Sequence, residues 1–221
     1  MIKLDILSDP ICPWCYIGKA QLDRALVERP DHPLTIEWHP FQLNPDMPDQ
    51  GMGRQDYLDT KFGGRENANS VYGRIADAAA AAGLSIDFEK IQRTPNTLDA
   101  HRLIHWAGLE GRQTAVVSAL FRAYFEDGKD IGDHAVLLDI AEAAEMDRDV
   151  VQRLLNGTSD RDDISARDAN AREKGVTGVP TFVLANQHVL PGAQPTGLWE
   201  QVLTEIDEQM SKQENVEPDA T

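Results

Sequence analysis

The sequence predicts an α/β protein in which a β-α-β unit at the start and a β-β-α unit at the end are separated by a large all-helical insertion. Three observations carry this. Residues 1–40 read as strand, helix, strand. The next hundred residues show helical periodicity and helix caps. Strand character returns only near residue 180, followed at once by a hairpin partner and a last helix.

Each element has its own signal. Residues 2–8 alternate apolar and polar side chains, the period of a strand, and Asp9-Pro10 ends the run. A helix follows over 13–27, its apolar stripe including Trp14, Ile17, Leu22 and Leu26, until Pro30 stops it. Residues 34–38 form a second strand, reached by a crossover long enough for parallel pairing. Prolines and glycines mark 41–54 as a long loop. Helices are then expected over 70–82, from about 95 to 107 with Asn96 or Thr97 as N-cap, over 115–125, over 133–144 capped by Asp133, and over 149–155 and 159–174. Residues 180–184 and 188–190 make a hairpin turning at Asn186-Gln187, and a helix runs over 196–210. This divides the chain into an α/β unit (1–40 and 160–212), a helical insertion (54–159) and a polar, disordered tail (213–221).

Composition excludes several classes. With 37 acidic against 21 basic residues the net charge is −16. That balance repels phosphate backbones, and no basic stripe reverses it, so no nucleic-acid partner is expected. No apolar run approaches the ~18 residues of a membrane span. The N-terminus shows no basic leader, apolar h-region or cleavage site, so the expected location is the cytoplasm.

The chain has only two cysteines, Cys12 and Cys15. A disulfide scaffold needs more of them, and a structural zinc site needs four ligands, so no metal is expected. In Cys12-Pro13-Trp14-Cys15 the first thiol falls where the first strand gives way to the first helix. Residues three apart share a helix face, which brings the sulfurs near disulfide reach. The helix N-terminus favours a negative charge, so Cys12 is expected to be the thiolate. Cys15, one turn deeper, stays protonated until needed, and Pro13 loses nothing at the first helical position. Cys12 then attacks through a mixed disulfide and Cys15 resolves it. The Pro-Trp dipeptide brings no cation, which predicts a milder oxidant than a histidine there would give.

A second element is Gly178-Val179-Pro180-Thr181-Phe182, a proline at the head of a buried strand. By base rate an X–Pro bond is trans. Together with the cysteine helix, the stretch Trp38-His39-Pro40-Phe41-Gln42-Leu43-Asn44-Pro45 and the helix start Asn96-Thr97-Leu98-Asp99-Ala100-His101-Arg102, the chain over 1–210 resembles the DsbA-like, FrnE-type thiol–disulfide oxidoreductases of the thioredoxin-like superfamily. The resemblance implies a thioredoxin-like fold with a cis Val179–Pro180 bond facing the cysteines, a loop that pairs with the substrate backbone and keeps metal off the thiols. It implies disulfide- or thiol-containing protein or peptide substrates. No cofactor beyond the redox-active disulfide is expected, with glutathione a candidate co-substrate. Oligomeric state is left open.

Kappa-class glutathione transferases and 2-hydroxychromene-2-carboxylate isomerases resemble the same architecture but typically carry serine where Cys12 stands. A glutathione-dependent isomerase or transferase is therefore the alternative, as is a non-redox peptide binder using the proline groove. His101 and His105 have a spacing that can hold zinc, but no third ligand is evident. His101 is instead a candidate to line the groove over Cys12. His39 stays ambiguous.

Overall fold

A computed structural model describes residues 1–214. Strand β1 (Ile2–Ser8) leads into helix α1 (Pro13–Val27) and strand β2 (Leu34–Pro40). A two-residue strand β3 (Met52–Gly53) precedes α2 (Arg54–Phe62) and α3 (Arg65–Ala81). Then come β4 (Arg93–Thr94), α4 (Leu98–Leu109), α5 (Gln113–Phe125), α6 (His134–Ala143), α7 (Arg148–Asn156) and α8 (Arg161–Glu173). The hairpin β5 (Thr181–Leu184) and β6 (His188–Pro191) and the helix α9 (Thr196–Glu214) close the order.

The main sheet runs β2-β1-β5-β6. β1 pairs with β2 in parallel, Ile6 beside Trp38, and with β5 antiparallel, Ile6 beside Phe182. This is a thioredoxin-like α/β fold. Alternation sorts the side chains onto two faces. Leu4, Ile6, Phe182 and Leu184 are buried with Cys15, Leu22 and Ala25 of α1 and Trp199 and Leu203 of α9. Phe182 meets Trp199 edge to face, centroids 4.8 Å apart. That core continues into the helical block through Trp38, Leu103, Leu120, Phe121 and Leu137. The indole of Trp38 donates to Thr114 of α5, and its backbone exchanges two hydrogen bonds with the Gln113 amide.

The expected loop over 41–54 contains the short strand β3, and the helical block after it opens with α2, a helix that none of the expected ranges covers. α2 begins at Arg54 and α3 at Arg65, five residues before the expected start at 70. α2 is polar on nearly every face, burying Leu58 alone, so the periodicity that announces a helix is missing. Gly63 at φ 69° and Gly64 at φ 122° make the break between the two helices, backbone that other residues rarely adopt. The β3–β4 pair is too short for a strand pattern.

Smaller corrections have local causes. The side chain of Asn96 accepts from the Leu98 backbone N–H at 2.9 Å, although Thr97 is the boundary residue of α4. The hairpin turns at Ala185 and Asn186, at φ 53° and 56°, one residue earlier than Asn186-Gln187. α9 continues through Glu214, past the expected end at 210, so residues 213 and 214 of the expected tail are helical; 215–221 lie outside the described residues. Asp133 caps α6 as read, accepting from Ala135 N–H at 2.9 Å. No described helix is long and apolar enough to cross a membrane.

Candidate active site

Cys12 is the N-cap of α1 and Pro13 its first residue. The Cys12 carbonyl accepts from the N–H groups of Cys15 and Tyr16 at 3.1 and 3.2 Å, and its own N–H donates to Asp9 O at 2.9 Å. Both cysteines are free thiols. Cys12 keeps 4% of its surface and Cys15 1%, while Trp14 beside them is 39% exposed. Burial pushes the Cys15 thiol well above its ordinary pKa, with the Cys12 sulfur adding to the rise; the Ser8 hydroxyl and the Asp9 backbone N–H act the other way. The two thiols therefore differ: one at the rim of the helix, one held protonated behind it.

Across from them the Val179–Pro180 peptide bond is cis. Cys12 Sγ donates to Val179 O at 3.5 Å, a contact spanning 167 positions of sequence. The loop is fixed on both sides. Thr181 Oγ1 donates to Gly178 O at 2.8 Å, and Gly192 N–H donates to Pro180 O at 2.7 Å. Beneath it, α1 carries Gly18, where a Cβ would stand 3.1 Å from Pro180 Cγ and 3.3 Å from both Ala193 Cα and the tip of Phe182. The glycine lets the cysteine helix and the proline loop approach.

Thus Cys12, Cys15, Val179 and Pro180 come together, with Pro13 shaping the helix start and Trp14 at the surface. His101 does not line this groove. It is 2% exposed, inside the molecule, with Nε2 3.9 Å from Asp9 Oδ1 and no hydrogen-bond partner on that nitrogen. Burial pushes its pKa down to about 4. It is enclosed because α4 packs between β2 and the helices α5, α6 and α8. His105 does not join it: its Nδ1 accepts from Arg167 at 3.1 Å.

The chain's similarities fit this geometry. The family model described as the DSBA-like thioredoxin domain matches residues 3–204. The chain belongs to the DsbA-like thioredoxin-domain family. It is 31% identical to a probable DsbA oxidoreductase from Streptomyces coelicolor whose crystal structure superposes with a TM-score of 0.81, covering 93% of this chain and 89% of that one. It is 26% identical to the uncharacterized protein YwbO of Bacillus subtilis, over 96% of this chain and 99% of the relative. The cytosolic disulfide reductase DsbM of Pseudomonas aeruginosa, solved with glutathione, shares the fold at 19% identity and TM-score 0.67, covering 93% and 99%.

In this DsbA-like chain the sequence did not reveal Ser8 and Asp9 beside the cysteines, nor Gly18 against the proline loop. Asp9 in Asp-Pro looks like a solvated turn. In the structure it is fully buried, and its carboxyl accepts from Ile11 N–H at 3.3 Å and Leu43 N–H at 2.7 Å. Burial raises its pKa to about 7, against the lowering effect of those N–H groups and the Thr97 side chain. Gly18 sits at a position where the helical pattern predicts nothing unusual. On the far face of the sheet, Asp5, Glu37 and His39 bring ligand atoms within 4.8 Å of one another. Lys3 Nζ already bridges the two carboxylates at 2.9 and 2.8 Å, doing there what a metal ion would do.

Proposed function

We propose that this family member is a dithiol oxidoreductase or isomerase of protein or peptide disulfides, with Cys12 attacking and Cys15 resolving. The observation that carries this reading is the pairing of an N-cap thiol with the Val179 carbonyl at 3.5 Å while the second thiol stays buried one turn behind.

The Cys12 thiolate attacks one sulfur of a substrate disulfide. A Cys12–substrate bond forms as the substrate S–S bond breaks, and the second substrate sulfur leaves as thiolate. Cys15 loses its proton and attacks Cys12 Sγ. The internal disulfide forms, the remaining substrate thiolate is released, and two electrons have passed to the substrate. The backbone of Val179, next to the reacting sulfur, is placed to pair with an extended substrate strand. Glutathione, the ligand present in the DsbM structure, is the thiol we assign to reopening the Cys12–Cys15 bond. A reducing cytoplasm suits reductase or isomerase work by a mild oxidant.

The test is reduction of insulin disulfides by the wild type and Cys12→Ser with glutathione as electron donor. Activity lost in Cys12→Ser supports the reading. Equal activity in the two proteins overturns it and turns attention to glutathione-dependent isomerisation.

A further inference from the structure

A groove of about 1140 Å³ lies on the side of the sheet away from α1. Its floor includes the apolar Leu7, Val183, Val189 and Pro191, and its wall is the face of α8 that carries Arg167, with Lys174 just past the end of that helix. Its end is the loop from Gly175 to Pro180. A volume of this size holds a small organic molecule.

Arg167 is the decisive residue. Its guanidinium is held by two imidazoles, donating to His105 Nδ1 at 3.1 Å and His39 Nδ1 at 3.3 Å. His39 is fixed in turn, because its Nδ1 accepts and its Nε2 therefore carries the hydrogen toward Asp5 Oδ1 at 2.5 Å. These bonds orient the guanidinium without neutralising it. Its nearest carboxylate, the exposed Asp163, is 3.9 Å away, beyond hydrogen-bond reach. Two of the five N–H donors of an arginine are used by the imidazoles, which leaves a fork for a planar anion. Lys174 stands seven residues on, about 10 Å along the helix axis. Of the charged groups in the lining, Lys3 is held by Asp5 at 2.9 Å and by Glu37 at 2.8 Å. Arg167 and Lys174 are thus the groove's cations with no hydrogen bond to a carboxylate among the described residues.

We infer that this groove is a binding site for an organic carboxylate with an apolar body, its acid group on Arg167 and its body over the sheet. Neither cysteine lines the groove, although the Val179–Pro180 loop borders both it and the thiol site.

The probe is 4-phenylbutyrate, titrated calorimetrically into the full chain, with 4-phenylbutanol as uncharged control. The acid should bind saturably, at least tenfold more tightly than the alcohol and at least tenfold more weakly to Arg167→Gln. Arg167→Lys, which keeps the charge and loses the fork, should fall between. Binding of unchanged strength in a Cys12→Ser/Cys15→Ser double variant is expected, so the result does not depend on the redox reading. The inference is overturned if no saturable binding is seen in wild type, if acid and alcohol bind equally, if inorganic phosphate binds as tightly as the acid, or if folded Arg167→Gln binds like wild type.

Discussion

Asp9 and His101 meet inside the molecule with Oδ1 and Nε2 3.9 Å apart. One comes from the active-site loop and the other from α4 in the helical block. Both are buried, and their pKa values are displaced in opposite directions, Asp9 up to about 7 and His101 down to about 4. In each case the first cause is burial, which disfavours the charged form.

The displacements have opposite effects on stability. An unfolded aspartate releases its proton near pH 4, so between about 4 and 7 the folded state holds a proton the unfolded chain lacks. The contribution of Asp9 is present at low pH and is lost as pH rises to about 7. For His101 the unfolded chain holds the extra proton between about 4 and 6.5, so its contribution is lost as pH falls through that window. The two slopes, each about 1.4 kcal/mol per pH unit, oppose one another. Relative to wild type, Asp9→Asn should gain stability as pH rises from 4 to 6.5, and His101→Gln should lose it. Urea midpoints across that range measure both; parallel profiles for wild type and variants would sink the assignment.

Cys15→Ser should trap the mixed disulfide. With Cys12 intact and no resolving thiol, a covalent Cys12–substrate adduct should accumulate, seen by mass spectrometry as added mass reversible by dithiothreitol. Turnover of a dithiol-dependent assay should fall by at least tenfold. An adduct on the Cys12→Ser variant instead would reverse the assigned roles.

Gly18→Ala tests the approach of α1 to the proline loop. In a helix interior alanine is favoured over glycine by roughly 0.5–1 kcal/mol. Here its Cβ would press on Pro180 and on the Ala193 backbone at 3.1 and 3.3 Å. Overpacking of this kind costs about 1–3 kcal/mol, so a net loss of stability is expected. Because the displaced neighbour is Pro180, kcat/KM for disulfide reduction should fall as well. A stabilised, fully active variant would show that the loop yields freely.

Arg102 has no exposed surface. It donates to the carbonyls of Ser159, Leu154 and Gly157 at 2.7, 2.6 and 3.0 Å, pairs with Asp99 at 2.8 Å, and lies over the Trp106 ring. Arg102→Leu would take this buried donor from the carbonyls of Ser159, Gly157 and Leu154 and leave Asp99 with Arg161 and His134 alone. The expected loss is about 3–5 kcal/mol in thermal or urea unfolding. Cysteine reactivity of the remaining folded protein should be unchanged. A loss below about 1 kcal/mol would mean water replaces the guanidinium.

The order of the main strands and helices along the chain was legible in the sequence, because strand alternation and helical period survive as local patterns. The sequence by itself determined the cysteine pair and its place at a strand-to-helix junction, because Cys-Pro-Trp-Cys is contiguous. It did not show α2, whose polar sides leave no stripe to detect, nor the burial of Asp9 in what looks like a surface turn. Only the tertiary structure decided that Val179 O meets Cys12 Sγ, that Gly18 admits Pro180, and that His101 turns inward to Asp9 rather than out over the thiols. Those are contacts between segments distant in the chain. Their chemistry depends on which groups are excluded from water together, and no local pattern encodes that.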